Sequence, residues 1–166
     1  MKKLLVALLL FSISIYGCTT VPVSFDVKNI QPATKKLDGE LKLVSVSFAG
    51  NEIPWSAEMQ TAILTNWKSA LENALDKSKI FQEDSSRKFN LEVSILTLDP
   101  GVMAYDVNVV SEYVISNRKT RELINKQVVG STGHASDFVG ETRVNKSLSS
   151  AVQSNISQYL QKISSQ

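Results

Sequence analysis

Cysteine and histidine are almost absent from this 166-residue chain, in which Cys18 and His134 are the only examples. A single cysteine excludes an intramolecular disulfide, and one residue of each type cannot supply a zinc site built from several His or Cys ligands. A large excess of one charge is missing as well, because 18 Lys plus Arg stand against 16 Asp plus Glu. We therefore expect no metal and no electrostatic nucleic-acid surface.

The first 17 residues carry the clearest pattern in the sequence. Lys2 and Lys3 precede an apolar run over residues 4–15, which is shorter than the roughly 20 residues that a membrane-spanning helix needs. The run is followed by the small residue Gly17, directly before Cys18. This arrangement predicts a cleaved signal peptide over residues 1–17. Its removal takes away Lys2 and Lys3 and leaves basic and acidic residues equal at 16 each.

Residues 15–18, Ile-Tyr-Gly-Cys, resemble the lipobox of bacterial lipoproteins. The resemblance implies that Cys18 becomes the acylated first residue of the mature protein, with a thioether diacylglycerol and an N-acyl chain such as palmitate. Two or more such chains anchor a protein stably to a membrane. The alternative for Cys18 is a buried or free thiol. Thr19 is not the Asp that usually retains such proteins in the inner membrane, so the resemblance implies the outer membrane, facing the periplasm.

The remaining chain predicts a polar tether followed by one domain. Residues 18–39 are predicted to form the lipidated N-terminus and tether, with a short edge strand at 24–27, and residues 40–166 form a single domain of ordinary size. Apolar residues alternate in stretches typical of strands and recur every three or four residues in stretches typical of helices. The predicted strands cover 41–48, 89–95, 105–115 and 123–132, and the predicted helices cover 56–77 and 144–163. A change of phase near Leu43 indicates either a β-bulge or a strand covered on both faces.

The order β-α-β-β-β-α predicts an α+β fold. We expect a two-layer sandwich in which both helices pack on one face of an antiparallel-dominated sheet. Together with the lipobox and the short tether, this order is similar to a group of small envelope lipoproteins. The group includes the lipopolysaccharide-assembly lipoprotein that plugs an outer-membrane barrel and the auxiliary lipoproteins of envelope lipid transporters. The resemblance is one of architecture, and it implies an accessory role in the envelope.

The sequence contains few residues of the types that catalysis needs. His134 and Asp137 lie in one predicted loop and could form a Ser-His-Asp set with a serine, but no Gly-x-Ser-x-Gly elbow accompanies them. We expect His134 to be a surface loop residue. The sequence therefore predicts no catalytic residue and no cofactor, and a protein that is not an enzyme.

Three places in the sequence are candidates for contact with a partner. Trp55 lies in the loop before the first helix and is a candidate for a partly exposed anchor. Val102 and Met103 form an apolar hairpin tip, which either packs locally or contacts a partner or acyl chain. Arg118 and Lys119 belong to a basic turn, which is either simply solvated or contacts lipid phosphates or an acidic partner.

These observations predict a non-catalytic, membrane-anchored accessory or structural lipoprotein that binds an envelope protein and no nucleic acid. Binding would use strand addition at a sheet edge or a hairpin tip. The alternative is lipid handling, in which the protein helps to transport lipopolysaccharide or phospholipid. A large apolar groove between helices and sheet would favour lipid handling, whereas an exposed, mostly uncharged edge strand would favour protein binding.

Overall fold

The computed structural model describes residues 24–50, 55–101, 103 and 105–165, so the signal peptide, Cys18 and Val102 lie outside the described residues. Six elements follow one another in the predicted order. They are β1 (Glu40–Phe48), α1 (Ala57–Ser78), β2 (Lys88–Asp99), β3 (Asp106–Asn117), β4 (Leu123–His134) and α2 (Gly140–Ser164). The strand order is β1-β2-β3-β4, with β1 parallel to β2 and the other pairs antiparallel. The predicted α+β class and element order are confirmed.

The core lies between the sheet and the two helices. Alternate residues of the central strands, such as Leu91 and Tyr113, are fully buried against helical residues such as Trp67 and Leu148. Each large apolar side chain buried in this way contributes about 1.5–3 kcal/mol relative to an exposed one. The two amphipathic helices therefore form one layer and the sheet forms the other.

Helix α1 begins and ends where its local sequence predicts. The backbone N–H of Met59 donates to Ser56 Oγ at 3.3 Å, which satisfies one of the unpaired donors at the helix start. The helix ends at Lys79, which adopts a left-handed conformation with φ of 51°. Its predicted apolar stripe is buried over Ile63, Trp67, Ala70, Leu71, Ala74 and Leu75.

Strand β1 contains an irregularity at the predicted place. Its register against β2 shifts between Leu41 and Leu43, in agreement with the bulge alternative. The shift places Val44 on the core face, where it is buried, and leaves Leu43 half-exposed on the opposite face. The bulge thus explains why the apolar alternation changes phase in the middle of the strand.

Helix α2 begins four residues earlier than the apolar pattern predicts, at Gly140 instead of Val144. Its first turn, residues 140–143, carries no apolar side chain, so hydrophobic periodicity cannot reveal it. Further along, the helix approaches β4 closely at Gly133. A Cβ atom on Gly133 would lie 2.0 Å from the carbonyl oxygen of Ser147, so only glycine allows this contact.

The segment before β1 differs from the predicted tether. Phe25 and Val27 are buried in the core, and the ring of Phe25 meets that of Trp67 edge-on at 6.5 Å between centroids. Further along, the backbone N–H of Ala33 donates to Ser78 O at 2.7 Å, and that of Leu37 donates to Ile80 O at 2.7 Å. The described part of the segment is therefore packed on the domain, and the predicted strand at 24–27 is not paired with the sheet.

Candidate functional site

The most polar part of the interior has a structural role. The hydroxyl of Tyr113 donates to Asn155 Oδ1 at 2.7 Å, and Asn155 Nδ2 donates to Val129 O at 3.0 Å. The rings of Tyr113 and Tyr159 are stacked 4.0 Å apart. Burial raises the pKa of both tyrosine hydroxyls, so neither group is prepared to exchange a proton near neutral pH.

The surface histidine does not meet its predicted neighbour. His134 Nδ1 lies 2.7 Å from Asp106 Oδ1, whereas Asp137 accepts a bond from Lys146 Nζ at 2.6 Å. The His134–Asp137 juxtaposition that the sequence left open is therefore not formed. His134 and Asp106 are both exposed at the end of the sheet. Within residues 24–50, 55–101, 103 and 105–165, no group of three or more His, Cys, Asp or Glu residues is placed to hold a metal.

Four exposed apolar side chains occur at one end of the molecule, and we call this set the apolar end. Met103 and Tyr105 belong to the β2–β3 connection, while Phe138 and Val139 belong to the β4–α2 connection. Phe138 is 99% exposed, so it contributes almost nothing to the core. Exposed apolar residues of this size, grouped together, are typical of contact surfaces.

Arg143 of α2 joins the two connections that make up the apolar end. Its Nε donates to Met103 O at 2.9 Å, and its Nη1 donates to Asp137 O at 3.0 Å. Its guanidinium carbon lies 4.2 Å from the centre of the Tyr105 ring, a cation–π contact. The backbones of both connections are therefore fixed by one half-buried side chain.

Trp55 lies at this same end of the fold, next to the start of α1. It is half-buried and packs against the core, and its carbonyl accepts a bond from Gln60 Nε2 at 2.8 Å. The structure thus brings Trp55 and Met103, two of the predicted contact residues, to one end of the sheet. Val102 precedes Met103 in sequence but is outside the described residues.

The other predicted contact residues lie at the opposite end. Arg118, Lys119 and Arg121 are exposed on the β3–β4 turn, and we call them the basic turn. Asn117 Oδ1 accepts bonds from the backbone N–H groups of Lys119 and Thr120 at 2.9 and 3.1 Å. The backbone N–H of Arg118 also donates to Lys88 O of β2 at 2.8 Å, and the basic side chains of the turn are exposed to solvent.

The two edges of the sheet differ in cover and in where their charged side chains lie. In β4 the charged Lys126 is present, and Lys162 Nζ of α2 donates to Val128 O at 2.9 Å. In β1, the charged Glu40 and Lys42 lie at the start of the strand, and residues 43–48 contain no charged side chain. The backbone bonds found for β1 lead to β2 and its flanks, so its outer edge is unpaired with respect to the rest of the described chain.

Sequence reasoning missed Phe138, Val139 and the anchoring role of Arg143. A signal for the first two was present, because two large apolar residues stand together in a loop that otherwise carries Ser136, Asp137 and Gly140. Arg143 gave no signal, since its partners are backbone carbonyls from distant positions. No helix in the described part of the chain is long and apolar enough to cross a membrane.

Comparison with known proteins establishes similarity at the level of fold. No protein-family model matches the sequence, and no curated protein matches it. A DUF330 protein from Xanthomonas campestris has a similar structure, with a TM-score of 0.60 and 12% identity over 82% of this chain and 90% of its own. An uncharacterized protein matches with a TM-score of 0.50 and 12% identity, over 84% of this chain and 99% of its own.

A lipoprotein candidate from Caulobacter crescentus has a TM-score of 0.43 and 10% identity, over 72% of this chain and 88% of its own. That score is too low to support an argument about the present chain. At 12% sequence identity, the Xanthomonas protein and the uncharacterized protein show that the fold is shared, and they say nothing about the activity of this chain. The chain therefore shares its α+β architecture with the Xanthomonas protein.

Proposed function

We propose that this protein is a non-catalytic lipoprotein of the bacterial envelope, anchored through Cys18 to the outer membrane, which binds a protein partner along the outer edge of β1. The observation that carries the binding part is the uncharged, unpaired stretch at residues 43–48. Sheet edges of this kind accept an extended segment of another chain as an additional strand.

The direction of the backbone groups shows which positions would pair with a partner. The N–H of Ala49 donates to Ile95 O at 2.9 Å, so the backbone of Ala49 faces β2. Because these directions alternate along a strand, the backbone groups of Val44, Val46 and Phe48 face outward. Their side chains point to the core, so the outward N–H and C=O groups are held on a rigid support.

Side chains on the open face allow the edge to be tested without disturbing the core. Ser47 is exposed on β1, and Thr97 is exposed on the neighbouring central strand β2. A lysine on an edge strand opposes pairing with another strand, whereas the same change on a central strand leaves the edge intact. Thr97→Lys is therefore the matched control for Ser47→Lys.

The lipid-handling alternative needs an apolar space that can hold acyl chains. The interior between the helices and the sheet is filled by large side chains, among them the fully buried Trp67, Tyr113 and Leu148, and the open cleft between α1 and β1 is lined by charged side chains such as Glu40, Lys42 and Glu72. This packing supports protein binding over transport of a lipid cargo. The non-catalytic part of the proposal is supported by the His134–Asp106 pair, which is too exposed to form a shielded catalytic centre.

Site-specific photo-crosslinking in cells tests this proposal. A photoreactive residue at position 47 should give one defined protein adduct, and the same group at position 97 should give much less. A Val46→Pro change removes an outward N–H without removing a bond to β2, so it should also reduce the adduct while the protein still accumulates. Equal adducts at both positions, or none at position 47, would refute binding at β1.

A further inference from the structure

We propose that the apolar end faces the bilayer and inserts into its interface, so that the acyl chains of Cys18 and the side chains of Met103, Phe138 and Val139 enter the same leaflet. This inference rests on the lipid anchor of the proposed function and adds an orientation to it.

The path of the N-terminal segment supports this orientation. Leu37 and Ala33 are bonded near the C-terminal end of α1, at Ile80 and Ser78, whereas Phe25 lies against Trp67 in the middle of that helix. Traced back toward the N-terminus, the chain therefore runs along α1 toward the start of the helix. Ser24, the first described residue, therefore lies nearer to the apolar end than Ala33 and Leu37 do.

The start of α1, the β2–β3 connection and the β4–α2 connection all lie at the same end of the sheet. Strands β1 and β2 are parallel and run toward this end, so the start of α1 and the β2–β3 connection both lie there. Asp106 pairs with His134 across β3 and β4, which brings the β4–α2 connection to the same end. The apolar end and the start of α1 are thus neighbours in the fold.

The length of the intervening chain fits this placement. Trp67 is ten residues into α1, so it lies about 15 Å from the start of the helix at 1.5 Å per residue. Cys18 precedes Ser24 by six positions, and six residues span at most about 20 Å. An anchor at Cys18 can therefore reach the level of the apolar end and holds this end close to the membrane.

The chemistry of the apolar end suits an interface with lipid. Two nearby carboxylates have close partners, Asp106 in His134 and Asp137 in Lys146. Asp99, Glu58 and Glu141 also lie at this end and add negative charge, which favours contact of the apolar side chains with uncharged headgroups over anionic ones. Arg143 fixes both connections in advance, which lowers the ordering cost of insertion.

Quenching by brominated lipid tests the orientation in the full-length acylated protein, reconstituted in phosphatidylcholine vesicles. Ser136→Cys and Thr120→Cys place one fluorophore beside the apolar end and one beside the basic turn, both at exposed positions. The sulfur of acylated Cys18 is a thioether and does not take the label. We expect several-fold stronger quenching at position 136 than at position 120, unchanged by 0.5 M salt.

The apolar side chains are then removed in matched variants. Phe138→Ser with Val139→Ser should reduce quenching at position 136, whereas Leu123→Ser, which removes an exposed leucine near the basic turn, should not change it. Equal quenching at both labels, or stronger quenching at position 120, would overturn the orientation. Mass spectrometry of the same protein separates the two proposals: acylated protein with an unquenched 136 label refutes the orientation alone, and unacylated protein refutes the anchor and the orientation together.

Discussion

The two ends of this molecule are both exposed, yet they are built in different ways. The apolar end holds Phe138 and Met103 on connections from different parts of the chain, joined by Arg143. The basic turn is organised mainly within one hairpin by Asn117, with one backbone bond from Arg118 to Lys88 of β2 and no side chain that joins separate connections. Exposure therefore does not distinguish the two ends. The apolar end has a long-range support and large apolar side chains without a packing role, and this combination points to a contact surface.

The largest expected effect concerns the anchor that would give the two ends different environments. Cys18→Ala removes the attachment point, so we expect an uncleaved or mislocalised protein that incorporates no fatty acid. Metabolic labelling with a fatty-acid probe measures this directly. Phe138→Ser, which changes the apolar end but retains Cys18, is the control and should still be labelled. Fatty-acid incorporation into the alanine variant would contradict the assignment of Cys18.

A phenylalanine at the apolar end is next compared with one in the core. Phe25→Ala should lower the free energy of unfolding by about 3–5 kcal/mol, because it leaves a cavity beside Trp67. Phe138→Ala should change it by less than about 0.5 kcal/mol, since the ring is 99% exposed. Chemical denaturation of the mature protein gives both values. Similar losses would mean that Phe138 packs in the folded state.

A pair of leucines compares the core with the surface beside the basic turn. Leu71 is fully buried on α1, and Leu71→Ala should cost about 2–5 kcal/mol of unfolding free energy. Leu123 is exposed at the start of β4, and Leu123→Ala should cost less than about 0.5 kcal/mol. Thermal melts of the two variants check this. A near-zero effect for Leu71→Ala would refute the position of α1 in the core.

The smallest expected effect is the difference in stability loss between one arginine variant at each end of the molecule. Arg143→Ala removes two hydrogen bonds to backbone carbonyls and a contact with Tyr105, so we expect a loss of about 1–3 kcal/mol. Arg118→Ala should change stability by less than about 0.5 kcal/mol, because its side chain is exposed. Hydrogen exchange should also show faster exchange in the two connections of the Arg143 variant. Equal results for both variants would show that the apolar end is not clamped.

Features with a strong local signal were predictable from the sequence. The stripes of α1 and α2, the alternation in β2 and β3, and the bulge near Leu43 all follow from periodic burial. The first turn of α2 could not be found in this way, because it has no apolar stripe. Hydrophobic periodicity therefore revealed the stretches that bury one face, and it missed the first turn of α2, which buries none.

Features that depend on isolated side chains or distant partners were not predictable. Phe25 and Val27 stand among polar residues, so composition indicated a tether where the structure has a packed segment. Of the residues proposed for contact, Met103 and Trp55 come to one end, while Arg118 and Lys119 lie at the other. The separation of Met103 from Arg118 follows from their places at opposite ends of β3, whereas the placement of Trp55 at the same end as Met103 depends on the parallel pairing of β1 with β2, which no local pattern in the sequence specifies.

The burial of Phe25 has a consequence for how a partner would be found. With only five residues between Cys18 and Ser24, a domain anchored as proposed would be confined to a thin layer beside the membrane, and the β1 edge would move within that layer. A partner held in the same membrane is then encountered by a search in two dimensions, at a high effective concentration. We therefore expect the contact to be weak when both proteins are free in solution and well occupied when both share one bilayer.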